Sequence, residues 1–236
     1  MESNDSQRDL KQSSFLHMFI RPMKTFDSLR AQPQWLYPVS FSAAVSVAVN
    51  FYVVKRIGLV RLVEAAFGEK TIIDPQGAIQ NVLAYQGQVL GIQSASILAN
   101  TFLIALVAAM VFWLLLTLFG YDISFRKTLA VVAHANMLPI VIKGCMIALT
   151  AAVIQDTGTI DLRNPLATNI AFFLQPSSPV AFRFLISLDA IKLINLVLLI
   201  IGLTRVCPKL SVGSASMLVL IPWAIYVAGT IYIPFL

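Results

Sequence analysis

Residues 97–119 read ILANTFLIALVAAMVFWLLLTLF, and this stretch decides the fold class. It holds no charge, and about 20 apolar residues at 1.5 Å rise cross a hydrocarbon core about 30 Å thick. The run is far longer than a barrel strand and does not alternate polar with apolar residues. Within lipid every backbone N–H and C=O must be satisfied inside the segment, so the run predicts a spanning α-helix.

Working outward, four more stretches meet the same test. Trp35 to Val54 is uncharged and closed by Lys55 and Arg56. Leu129 to Ile154 carries Lys143 and Pro139, Phe184 to Thr204 carries Asp189 and Lys192, and Val212 to Leu236 is uncharged with Pro222 inside. The expectation is an all-α polytopic membrane protein: five transmembrane helices in one bundle (35–54, 97–119, 129–154, 184–204, 212–236) with short amphipathic interfacial helices. The two internal prolines each remove a ladder bond and predict kinks.

The composition agrees. Of 236 residues 58% are hydrophobic and 12% charged, against about 25% charged in soluble domains. The mean hydropathy is +0.81 and the pI about 9.5. Too little charge is present to cover a soluble surface, so the net +6 is not read as a nucleic-acid footprint. Two cysteines exclude a disulfide framework and a cysteine-based zinc cluster.

The segments between the spans carry most of the charge. The first 34 residues have no basic region leading into an apolar one, so no signal peptide is read and the first span serves as its own insertion signal. Residues 1–13 read as a disordered tail, and 14–236 as the membrane domain. Phe15, Met18, Phe19, Met23, Phe26 and Leu29 recur at helix-like spacing among Arg21, Lys24 and Arg30. That pattern fits a surface-lying amphipathic stretch or a short linker packed on the membrane domain. Ile57, Val60, Val63 and Phe67 predict an interfacial helix, Asp74-Pro75-Gln76-Gly77 a turn, and the glutamine-bearing 78–96 an extension of the second helix. Gly87 and Gly91 form one GxxxG, outside an apolar core and best read as chance.

Orientation is set by the lysines and arginines. With the N-terminus in the cytoplasm, nine lie inside (Arg8, Lys11, Arg21, Lys24, Arg30, Arg126, Lys127, Arg205, Lys209) and six outside (Lys55, Arg56, Arg61, Lys70, Arg163, Arg183). The two short loops, 120–128 and 205–211, are both basic and both inside, which predicts a cytoplasmic N-terminus and an external C-terminus. Lys55 and Arg56 count against that choice.

Intramembrane charge marks the candidate site. Lys143, Asp189, Lys192 and Asn195 are the candidate polar positions of the third and fourth spans. On one continuous helix Asp189 and Lys192 would stand i, i+3 and pair locally. The functional reading is a polar site for a proton, an ion or a lipid head group; the structural alternative is a helix-locking contact with snorkelling lysines. Catalytic patterns are missing: His17 and His134 lie far apart, and no HExxH, GxSxG or P-loop occurs. No catalytic, cofactor or metal residue is assigned, and the chain is not read as an enzyme. Cys207 is a candidate acylation site.

Several motifs resemble one family. Phe19-Ile-Arg-Pro22-Met-Lys-Thr-Phe26 with Pro33-Gln-Trp35 is similar to the Pro–x–x–Thr–Phe and Pro–x–Trp start of the Ypt-interacting protein (YIP) domain. Gly120-Tyr-Asp-Ile-Ser124-Phe125-Arg126, then Ala133 and Pro139, resembles its run into the third span. Ser187-Leu-Asp189 with Ile201-Gly202-Leu203 resembles its fourth, and Pro222-Trp223 its last. The resemblance implies five spans, a cytoplasmic N-terminus and, for eukaryotic members, ER or Golgi membranes and a Rab GTPase partner. The arm here is short and lacks the Asp–Leu–Tyr–Gly–Pro motif, which resembles prokaryotic members of the cytoplasmic membrane. A GTPase partner is therefore implied by the resemblance alone. Three functions fit: a non-enzymatic scaffold or adaptor contacting the lipid bilayer and other membrane proteins; a transporter or channel subunit for a small solute, ion or lipid; and a membrane-shaping protein.

Overall fold

The computed structural model describes residues 18–62, 75–154 and 164–232. Among them the chain forms α1 Pro22–Leu29, α2 Leu36–Ile57, α3 Pro75–Ala84, α4 Gln86–Leu118, α5 Phe125–Val153, α6 Ile170–Leu174, α7 Pro179–Ser187, α8 Ala190–Val206 and α9 Val212–Tyr232. Four of these, α2, α4, α5 and α9, are long and apolar enough to cross a membrane. The protein is a polytopic helical membrane protein. The tail at 1–13, and Val63 and Phe67 of the expected interfacial helix, lie outside the described residues.

Among the described residues four helices, not the expected five, are long and apolar enough to span. The expected fourth span, Phe184 to Thr204, is not one helix: it is split between α7 and α8. The cause is a diverted backbone bond. Asp189 is extended and bridged to Asn169, and the Ala190 N–H donates to the Thr168 carbonyl at 2.8 Å. That donor is lost to the intrahelical ladder, so the helix restarts at Ala190. The restarted helix, α8, is 17 residues long, about 25 Å and short of a full hydrocarbon core.

Other expectations fare differently. Pro75 opens a helix where composition predicts a turn; its missing N–H and fixed φ suit the first helical position. The polar 86–96 segment does extend the second span, giving a 33-residue α4. Gly87 and Gly91 face open space, so the GxxxG seats nothing among the described residues. Both α5 and α9 continue through their prolines. Cys207 is buried, so its thiol is not presented for acylation.

The chain divides into two compact units. The first comprises 1–41, 103–139 and 191–236. Its axis is the first half of α5, where residues 128–135 are all buried. A stretch enclosed on every face reads as apolar or small all round, which fits Leu129-Ala-Val-Val-Ala133. The turn into α5 ends α4 by a Schellman motif: Tyr121 N–H bonds Leu116 O at 2.9 Å, and Gly120 N–H bonds Thr117 O at 3.0 Å. Gly120 takes φ +79°, the left-handed conformation that favours glycine there.

The second unit comprises 42–102 and 140–190. Within it α2 and α5 approach closely at Gly144, where an added Cβ would stand 3.1 Å from Val49 Cγ2. Arg56 closes the end of α5, its Nε donating to Ala151 O at 3.0 Å and its Nη2 to Ile154 O at 3.3 Å. A cation on the last carbonyls also complements the helix dipole. Arg56, a topology signal in the sequence, is therefore also a structural cap.

Candidate functional site

In the first unit, α1 is seated rather than free. Pro22 supplies the first turn, and Thr25, Phe26 and Leu29 are buried on one face. Phe26 is fully enclosed. The space it enters exists because residue 202 is glycine. A Cβ built on Gly202 would stand 2.8 Å from Phe26 Cε1 and 2.6 Å from Val131 Cγ1. Phe26 of α1, Val131 of α5 and Gly202 of α8 thus meet at one point. At the rim, Asp27 pairs with Arg205 at 3.6 Å, both about half exposed, and Arg205 Nη2 donates to Met23 Sδ at 3.5 Å. The outer face of α1 stays open, with Ile20 71% and Met23 49% exposed beside exposed Arg21 and Lys24.

The turn below the seat is fixed from α4. Trp113 Nε1 donates to Ile123 O at 3.1 Å, and its ring meets Phe125 edge-on at 5.9 Å. Contacts through both the half-buried ring and its polar handle position the start of α5.

The four candidate polar residues fall into different settings. In the first unit, Asn195 Nδ2 donates to Asn136 Oδ1 at 2.7 Å, and Asn195 Oδ1 is buried without a hydrogen-bond partner. Lys192 is exposed on the first turn of α8. In the second unit, Asp189 is buried and accepts from Thr168 Oγ1 at 2.9 Å. It stands immediately before α8, where a carboxylate is favoured by the helix dipole. Lys143 is exposed on α5. Asp189 and Lys192 do not stand on one continuous helix, because the helix is interrupted between Ser187 and Ala190.

Residues outside the expected set complete these places. Asn164 and Asn169 exchange side-chain bonds at 2.7 and 3.2 Å, and Asn169 Oδ1 also caps α6 through Phe172 N–H at 3.0 Å. Their signal in the sequence is the cap-and-turn composition of Asn164-Pro-Leu-Ala-Thr168-Asn169, which favours side-chain-to-backbone bonds over helix. His134 is buried with Nδ1 2.8 Å from Ala130 O, one turn back. Among the described residues no group of three His, Cys, Asp or Glu is placed to hold a metal ion.

Compared with known families, residues 16–233 match the Yip1 domain. The chain belongs to the Yip1 domain family. No curated protein and no solved structure matches it. The geometry gives the Yip1 motifs a physical meaning in this chain. The Pro–x–x–Thr–Phe stretch supplies Phe26, the Ile–Gly–Leu stretch supplies Gly202, and the two are in contact across Val131. Stretches more than 170 residues apart in sequence form one seat that holds α1.

Proposed function

We propose that this Yip1 protein is a non-enzymatic membrane scaffold or adaptor that presents α1 to other membrane proteins. The carrying observation is the seat itself: Phe26 locks α1 against Gly202 and Val131, while Ile20 and Met23 remain open to a partner. A packed seat with an exposed apolar and basic outer face suits an interaction platform. In this reading α8 makes a fifth crossing despite its 17 residues, the N-terminus and α1 lie in the cytoplasm, and the C-terminus lies outside. The basic loops 120–128 and 205–211 support that topology, and the membrane is the prokaryotic cytoplasmic one. A GTPase partner rests on family membership alone. The test is a photocrosslinker at position 20 in native membranes: a reproducible partner supports the reading, and a lone monomer in every lipid condition overturns it.

A second reading has one observation in its favour. The buried, unpartnered Oδ1 of Asn195 is costly in a membrane interior. It supports the transporter or channel-subunit reading, which the intramembrane charges Lys143, Asp189 and Lys192 also motivate. If Asp189→Asn and Lys143→Met proteins fold and show unchanged solute flux in liposomes, that reading fails.

A further inference from the structure

The first unit holds a cavity of about 670 Å³ between α4 and α9 that no part of the described chain fills. Two helical stripes at i, i+4, i+8 wall it, one from Val111 to Phe119 and one from Met217 to Ile225, and Tyr121 and Ser214 add polar atoms at one end. That end is marked by charge. Tyr121 belongs to the connection that leads to Arg126 and Lys127. Ser214 comes just after the connection that carries Lys209, and Arg126 and Lys209 are exposed.

We infer that this groove seats the acyl chains of an anionic phospholipid, with its phosphate at Arg126, Lys127 and Lys209. Three features select this occupant. From Ser214 to Ile225 the groove runs along 11 residues of helix, about 16 Å, close to one leaflet of a hydrocarbon core about 30 Å thick. A transmembrane partner would need about the whole thickness. Spread over that length, 670 Å³ gives a cross-section of about 40 Å², roughly half that of a helix about 10 Å wide. The groove thus does not enclose a whole second helix and has room for lipid tails. Its walls are apolar between Tyr121 and Ser214 at one end and Tyr226 at the other, and the connections next to the first end carry Arg126, Lys127 and Lys209 against Asp122, a net basic set of the kind that holds anionic head groups.

The test uses the full chain in phosphatidylcholine vesicles doped with brominated phosphatidylglycerol. Tyr226→Trp, which puts an indole in the lining of the groove, reports bromine there as the quenching added over that of the unaltered protein. The inference predicts quenching that saturates at a low mole fraction of brominated phosphatidylglycerol, with brominated phosphatidylcholine about tenfold weaker. Replacing Arg126, Lys127 and Lys209 together by Gln should abolish that tenfold preference. Ile221→Trp, which fills the groove, should abolish saturable uptake of both lipids, measured by co-purified lipid because it adds a fluorophore. Resistance of α1 to trypsin verifies that each variant is folded. Equal quenching by both lipids, or a preference unchanged in the Gln variant, overturns the inference. A dimer crosslinked through Met217→Cys would place a second copy in the groove and overturn it equally.

Discussion

Adding one methyl group at Gly202 should unseat α1. In Gly202→Ala the new Cβ would stand 2.6 Å from Val131 Cγ1 and 2.8 Å from Phe26 Cε1, whereas carbon atoms pack at about 3.5–4.0 Å. The neighbours must retreat by about 1 Å. Val131 has little room, since it lies in the enclosed half of α5. Phe26 sits on an eight-residue helix and is the easier partner to displace. Overpacking of this kind costs about 1–3 kcal/mol, which raises the undocked population of α1 by about 5- to 150-fold. Trypsin reads that population in reconstituted protein, because Lys24 and Arg30 lie on the helix it would release. Cleavage after Lys24 and Arg30 should accelerate within that range, with little loss of secondary structure. Phe26→Ala supplies the second arm. Alone it empties a buried ring site, a class of change that costs about 3–5 kcal/mol. Made in the Gly202→Ala background it removes one of the two clashes, so its further cost should be smaller, with a coupling of about 0.5–3 kcal/mol. Unchanged cleavage in Gly202→Ala, or strict additivity of the pair, would refute the seat.

Other variants probe the remaining structure. Arg56→Met should lower thermal stability by about 1–3 kcal/mol, since the last carbonyls of α5 lose charged donors; unfolding in detergent measures it. Asn169→Ala should cost about 1–3 kcal/mol by losing the α6 cap and stranding Asn164, and Asn164→Ala made with it should add little. Trp113→Phe keeps the ring but drops the bond to Ile123 O, an expected loss of about 1 kcal/mol, read by the same unfolding assay. Cysteines at Lys127 and Lys209 should react with a membrane-impermeant thiol reagent only from the cytoplasmic side, and a cysteine at Gln175 only from outside.

Much of the membrane architecture was legible because charge is costly in lipid. Uncharged runs over 97–119 and 212–236, and the weakly charged 129–154, each became a long helix. What composition missed was local hydrogen bonding. The run 184–204 is long and apolar enough to pass the same test despite Asp189 and Lys192, yet Thr168 O captures the Ala190 N–H from 22 positions away, and no periodicity reports such a contact. Asp189 drew attention as an intramembrane charge, while its role beside Thr168 at the restart of α8 depends on that break. Asn195 was legible as a polar position, but its partner Asn136 was not, because pairing across 59 residues leaves no local pattern. The family motifs marked Phe26 and Gly202 as notable residues; only the packing shows that each explains the other.

The central claim is that α1 is held on the membrane domain beside the end of α8. Its most direct test is a short bifunctional crosslink between Asp27→Cys and Arg205→Cys, in a background without Cys145 and Cys207, in native membranes. The two side chains pair at 3.6 Å, so the account predicts rapid, near-complete intramolecular crosslinking that Gly202→Ala suppresses. Absence of the crosslink in the otherwise unaltered protein, with both cysteines reactive, would contradict it.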